Sequence, residues 1–292
     1  MHAKTDRLVH HTVVVLSALT VGLLFFLLAF MIRESLPALR QIGLPALLLG
    51  SEWRPLAYAG APSYGLRNML LSTLYVSVLA VALALFLGVG CSLWLSCAVS
   101  DKVRRHLLPC IDLLAGIPSV VYGFVGLYLV VRTLEKLGRA AGESVLAAAI
   151  VLAVMLLPYM ISSCCHTMVA LRRRYAAPSA ALGVDRWYLA ASVILPASRR
   201  GILISTALST GRAMGETMAV MMVLGNAITV PTLLGKGETI ASLIALEMGM
   251  AERGSLHFSA LYAAGLLLLV LLLAINLLFS LLQKKLRKEG QL

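Results

Sequence analysis

A chain of 292 residues with 60% hydrophobic and only 13% charged residues is not a soluble globule, in which charged residues approach about a quarter. The net charge of +12 is spread along the chain instead of gathered into one groove-sized patch, which argues against nucleic acid and for membrane flanks. The composition is that of an all-α, polytopic membrane protein, and apolar runs of about 18 residues or more predict six spans.

The first predicted span is Thr12 to Ile32, longer than the roughly 7 to 15 apolar residues of a signal-peptide core, so it reads as a retained helix. Residues 33–68 follow as an external connection with Pro37, Pro45, Pro55 and Pro62, whose Trp53, Tyr58 and Tyr64 are expected to anchor at the headgroup level. The second span, Leu70 to Ala98, leads into a basic turn at Lys102, Arg104 and Arg105.

The third span, Leu107 to Val131, carries Asp112 and then Ile117-Pro118-Ser119, where the proline removes one backbone hydrogen bond and clashes with the carbonyl of Leu114. Polar backbone freed at membrane depth is tolerated against other helices or a water-lined cavity, so Pro118 and Ser119 are either a kink or part of a pathway wall. In the fourth span, Val145 to Val169, Pro158 reads as a plain kink.

Residues 170–200 form a loop with an arginine run at Arg172–Arg174 and an expected break at Pro178. A helix-compatible stretch from Ala180 to Ser192 follows and is stopped by Leu195-Pro196. Its aromatics could lie in the headgroups, or the helix could dock in a groove of a partner.

The fifth span, Gly201 to Asn226, holds RAMGETMAV (Arg212–Val220) near mid-depth, where ionised side chains cost about 2.5 to 3.5 kcal/mol each and normally face a cavity or a partner. On a continuous helix Arg212 and Glu216 are spaced i, i+4 and can pair, either as structural glue or as a pathway element. The small residues Ala207, Gly211, Gly215 and Ala219 form an adjacent stripe, with Gly211 and Gly215 as the expected helix-packing contact. Beyond it, a break at Pro231 and a glycine-rich turn precede a short external or re-entrant helix, Thr239 to Met250. The sixth span, Phe258 to Leu282, ends in the basic tail Lys284–Lys288.

An even number of spans, with most basic residues on the side shared by both termini, places both ends in the cytoplasm. The organisation expected is an N-terminal helix and connection (1–65), a five-helix core (66–283) containing the loop 171–200, and a short basic tail (284–292). The five cysteines fall in spans or at their inner ends without metal-ligand spacing, so no metal is expected. No GxxxxGK[ST], HExxH or GxSxG motif occurs, so the chain is not expected to bind ATP, act as an enzyme or hold any cofactor itself; ATP, if used, is hydrolysed by a partner.

From about Tyr64 to Leu282 the chain resembles the permease subunits of type I ABC importers, and most of all the PstC permeases of phosphate importers. The resemblance is carried by IDLLAGIPSVVYGFVGL (Ile111–Leu127), ALGVDRWYLAASVILPASRRGI (Ala181–Ile202), GRAMGETMAVMMVLGN (Gly211–Asn226) and TIASLIALEM (Thr239–Met248). The continuation of RAMGET into MAV and GN favours PstC over the companion PstA permeases.

The second string is similar to the loop through which such permeases engage their ATPase: Gly183, Leu195 and Pro196 match, and Val193 replaces an isoleucine. Ala177, Pro178 and Ser179 stand where Glu-Ala-Ala is usual. The resemblance implies the MetI-like permease fold in a bacterial inner membrane, with Ala181, Gly183, Asp185, Arg186, Trp187, Leu195 and Pro196 forming the ATPase-coupling loop. It further implies a PstA-type permease, two ATP-binding subunits and a periplasmic phosphate-binding protein as partners. The pathway candidates are Arg212, Glu216 and Thr217, with Pro118 and Ser119, and the guanidinium of Arg212 offers a planar donor fork suited to a phosphate oxyanion.

Overall fold

A computed structural model describes residues 2–55, 61–138 and 142–289; Tyr58, Arg139 and the end of the basic tail lie outside them. Among the described residues the fold is helical apart from one antiparallel pair of two-residue strands. The elements are α1 (His2–Gln41), α2 (Leu44–Leu49), β1 (Trp53–Arg54), β2 (Ser63–Tyr64) and α3 (Arg67–Leu93), which continues as a π-helical turn over Trp94–Ala98. There follow α4 (Asp101–Leu114), α5 (Ser119–Gly126) with a π turn at Leu127–Val131, α6 (Arg132–Lys136) and α7 (Val145–Ala181). The remainder comprises α8 (Arg186–Tyr188), α9 (Leu195–Ala197), α10 (Arg199–Gly215), α11 (Met218–Leu224), α12 (Ile240–Glu247) and α13 (Leu256–Glu289).

The paired α3 and α7 form the centre. Their backbones come close because Gly88 has no side chain: a Cβ there would lie 2.7 Å from Met160 Cγ. Beside this contact the Ser92 hydroxyl is within hydrogen-bonding distance of its own helix at Gly88 O (2.6 Å) and of Ile161 O across the interface (3.0 Å), so its polar group is satisfied at a buried site. Two-thirds of the most apolar window of α7 is buried, whereas that of α1 is fully open and that of α13 nearly so. α1 and α13 pack on each other, with Phe30 edge-on to Tyr262, and offer their remaining apolar surface to lipid.

Among the described residues four helices are individually long and apolar enough to cross a membrane: α1, α3 with its π turn, α7 and α13. The third predicted span is α4 and α5–α6 at 86° to each other, a right-angled break at Pro118. The fifth is divided at Glu216, so neither half is long enough alone. The arrangement is consistent with six crossings, two of them discontinuous.

Prolines interrupt less than expected. α1 continues through Pro37 to Gln41, α7 passes Pro158, and α7 also passes Pro178 to end at Ala181, where a break was expected. The described part of the connection 33–68 is also more ordered than a set of interfacial segments, and two of its aromatics do not serve as headgroup anchors. Trp53 and Tyr64 are only 3% and 6% exposed and meet edge-on with centroids 5.5 Å apart. Trp53 Nε1 donates to Glu247 Oε2 at 2.8 Å, and His257 Nε2 lies 2.8 Å from the same oxygen. A buried indole needs an acceptor, and a carboxylate on α12 supplies it.

The loop after α11 is strapped to the start of α7 by backbone bonds from Val145 N to Gly235 O (3.0 Å) and Leu146 N to Leu233 O (2.9 Å), and by the Lys236–Glu143 ion pair. It carries Glu238, which is 5% exposed; burial, and secondarily the charge of Glu247, push its carboxyl up to about 7. The folded state therefore holds this proton more tightly than the unfolded chain. The resulting penalty is absent below about pH 4.5, grows as pH rises through 7 and is complete above it. Glu238→Gln is expected to stabilise the protein by about 3 kcal/mol near pH 8 and to leave it unchanged near pH 4. Thermal unfolding of the purified protein at the two pH values checks this.

Candidate translocation site

The site is built from two helix breaks held side by side. α10 ends at Gly215; Glu216 is extended (φ −71, ψ 124), and α11 restarts at Met218. The polar groups released by the break are taken up locally. Thr217 Oγ1 donates to Gly215 O at 3.3 Å, and Glu216 Oε1 accepts from Ala219 N at 3.2 Å, placing a carboxylate at the positive end of α11.

This corrects the expected ion pair. The i, i+4 argument holds only on a continuous helix, and Glu216 is the residue at which the helix stops. Among the described residues Arg212 has no hydrogen bond or salt bridge from its guanidinium, and it is exposed in the chain.

The second break lies between α4 and α5. Pro118 caps α5, and the hydroxyl of Tyr122, one turn on, reaches back to donate to Leu114 O at 2.8 Å. That is the carbonyl against which the proline ring clashes in an unbroken helix. Ser119 opens α5 and is half-buried.

The two breaks meet because α5 packs against α11. At Gly123 a Cβ would sit 2.9 Å from the Ala219 backbone and 2.9 Å from Met222 Sδ, so the helices touch backbone to backbone. Tyr122 lies close enough to Arg212 for the guanidinium charge to act on its phenol. The predicted candidates Pro118, Ser119, Arg212, Glu216 and Thr217 thus belong to one region. Tyr122 and Gly123 were not singled out, although a tyrosine four residues after a break-forming proline and a glycine beside it were legible signals.

The small stripe behaves differently from expectation. Ala207 and Ala219 are buried, but a Cβ on Gly211 or Gly215 would meet nothing within 4 Å. Among the described residues no helix uses that contact. The glycine face, with Arg212 next to it, is open.

At the opposite end of α7, Gly183 turns the chain with φ +69 and Val184 N donates to Ser179 O at 3.0 Å. Asp185 caps the next helix by accepting from Trp187 N at 2.8 Å. Two expectations are corrected here: the helix starts at Arg186, not Ala180, and it runs through a π-helical turn at Leu189–Ile194 and past Leu195-Pro196 to Ala197. Leu189, Ala190 and Ile194 face inward, while Trp187 (66%) and Tyr188 (62%) are exposed, as is Leu182. Ala181 ends α7 and Arg186 opens α8, so Ala181, Gly183, Asp185 and Arg186 share one turn, while Leu195 and Pro196 lie in α9. Among the described residues no group of three or more His, Cys, Asp or Glu is placed to hold a metal.

Over residues 87–288 the chain matches the family of binding-protein-dependent transport system inner membrane components. The chain belongs to this family. A probable ABC transporter permease, YqgH of Bacillus subtilis, is 34% identical over 77% of the chain and 72% of its own length. The phosphate transport system permease PstC of Mesorhizobium japonicum is 31% identical over 92% of the chain and 87% of its own. The inward-facing MetNI methionine ABC transporter gives a TM-score of 0.59 at 15% identity, covering 75% of the chain and 94% of the matched one, a likeness of fold alone.

Gly123→Val should force α5 off α11, at a cost of about 1 to 3 kcal/mol from overpacking, and separate the two breaks. Reduced thermal stability together with impaired transport in reconstituted vesicles is the expected outcome.

Proposed function

We propose that this permease is the PstC-type subunit of an ATP-driven importer of inorganic phosphate. The observation that carries the reading is Arg212: an exposed guanidinium with no hydrogen bond or salt bridge among the described residues, beside two adjoining helix breaks. Relatives named as phosphate transport permeases support the choice of anion.

In this reading the open glycine face of α10 meets a PstA-type permease, and the pathway runs between the two chains past Arg212. The planar fork of Arg212 takes two oxygens of a passing phosphate. Glu216 and Thr217 do not pair with it; they hold the end of α10 and the start of α11, while Pro118 and Ser119 hold the facing break. A periplasmic phosphate-binding protein delivers substrate at the end carrying the hairpin and α12.

The basic ends of the helices put both termini in the cytoplasm of a bacterial cell, at the inner membrane. There the turn at Gly183 and the exposed Trp187 and Tyr188 dock on one of two ATP-binding subunits, which hydrolyse the nucleotide. Closure of that ATPase pair is transmitted through Asp185, Arg186 and Leu195-Pro196 to α7 and α10.

Arg212→Ala should abolish uptake of labelled phosphate while leaving the complex assembled, and Arg212→Lys should restore little, since an ammonium lacks the fork. Uptake of phosphate compared with sulfate and molybdate in the same cells assigns the anion; preference for either of the latter makes this a permease for another oxyanion. At the docking turn, Trp187→Ala should uncouple the system, leaving ATPase activity that no longer responds to the loaded binding protein. An unchanged response would remove the docking assignment.

A further inference from the structure

Away from the helix breaks, two clefts of about 200 and 230 Å³ lie between the first turns of α4 and the last turns of α7, sharing Asp101, Arg104, Val169 and Arg173. Arg104 is only 7% exposed. Its Nη2 is 2.7 Å from Asp101 Oδ1, but its Nη1 is buried with no hydrogen-bond partner. A buried guanidinium left half-satisfied is costly, and the same Asp101 oxygen is shared with Arg172, whose Nη1 is 3.7 Å away. The paired arginines hold the Asp101 carboxyl below the usual carboxylate range, the hydrogen bond from Arg104 first.

Arg172 is further satisfied by Ser96 O at 2.6 Å. Arg105 and Arg173 are not: both are exposed, line the second cleft and make no side-chain hydrogen bond among the described residues. The clefts thus hold four arginines against one carboxylate, with Leu108 and Val169 as an apolar wall.

We propose that this cleft binds a phosphate group, held by Arg104, Arg105 and Arg173. Guanidinium forks match phosphate oxygens, and basic pockets between helices at the cytoplasmic face accept anionic headgroups. Two sources share this chemistry, an anionic phospholipid headgroup and free phosphate. The cytoplasmic placement rests on the orientation given above, but the binding chemistry does not.

The test uses the complete purified complex carrying Arg212→Ala, so that phosphate at the proposed pathway does not contribute. Wild-type clefts are compared with the double variant Arg105→Gln/Arg173→Gln, both at exposed positions, and with Arg104→Gln. In nanodiscs of phosphatidylcholine with phosphatidylglycerol, native mass spectrometry counts retained phosphatidylglycerol. In phosphatidylcholine alone, equilibrium binding of labelled orthophosphate is measured.

A drop of roughly ten-fold or more in one ligand on cleft substitution is expected, and the ligand that drops identifies the source; a drop in both means the site accepts either. Equal binding of both ligands to the parent and the double variant overturns the proposal, whether or not Arg104→Gln assembles. Because no transport is read, a wrong anion for the importer does not imitate that result.

Discussion

Peptide groups that lose their helical partners inside a membrane have to find others within the protein, and this constraint shapes the centre of the molecule. Each of the two breaks is closed by side chains from its own neighbourhood: Tyr122 for the carbonyl of Leu114, Thr217 for that of Gly215, and Glu216 for an N–H at the start of α11. The polar side chains of RAMGET are therefore divided in their duties. Glu216 and Thr217 are occupied by backbone, and that leaves Arg212 unclaimed. A continuous helix with a neutralising ion pair would have presented no such charge.

The surroundings follow from keeping these breaks in place. Gly123 lets α5 lie against α11, and Gly88 lets α3 lie against α7. The outer loop is bolted to the first turn of α7, while Trp53, His257 and Glu247 lock the hairpin to α12 and α13. Apolar surface is then left on α1 and α13, where lipid covers it, and small residues are left bare on α10, which suits a partner chain better than hydrocarbon.

Much of this was legible in the residues. Length and hydropathy located α1, α3, α7 and α13, Pro118 marked a true break, and the short helix expected over Thr239 to Met250 is α12. Local patterns failed where tertiary contacts decided. Pro178 falls where the residues predict a loop, yet α7 carries through it; Trp53 has the composition of an interfacial anchor, yet it is buried and donates to a carboxylate nearly two hundred positions away. The Arg212–Glu216 spacing misled for a different reason. Periodicity assumes the helix it is used to interpret, and nothing in RAMGET alone states that the helix stops at its glutamate. The packing of α5 on α11 was also beyond reach, since it depends on a backbone contact at Gly123 between segments about a hundred residues apart.

The 37 unbroken residues of α7 have a mechanical implication. A rod of roughly 55 Å joins the strapped outer loop at one end to the Gly183 turn at the other. Although Pro158 and Pro178 each leave one helical hydrogen bond unmade, the helix is continuous along its length and behaves as a lever, so that a push on the turn at one membrane face tilts the anchored loop at the other. Gating at the two surfaces is then geared through a single stiff part, and neither surface is free to move without the other answering.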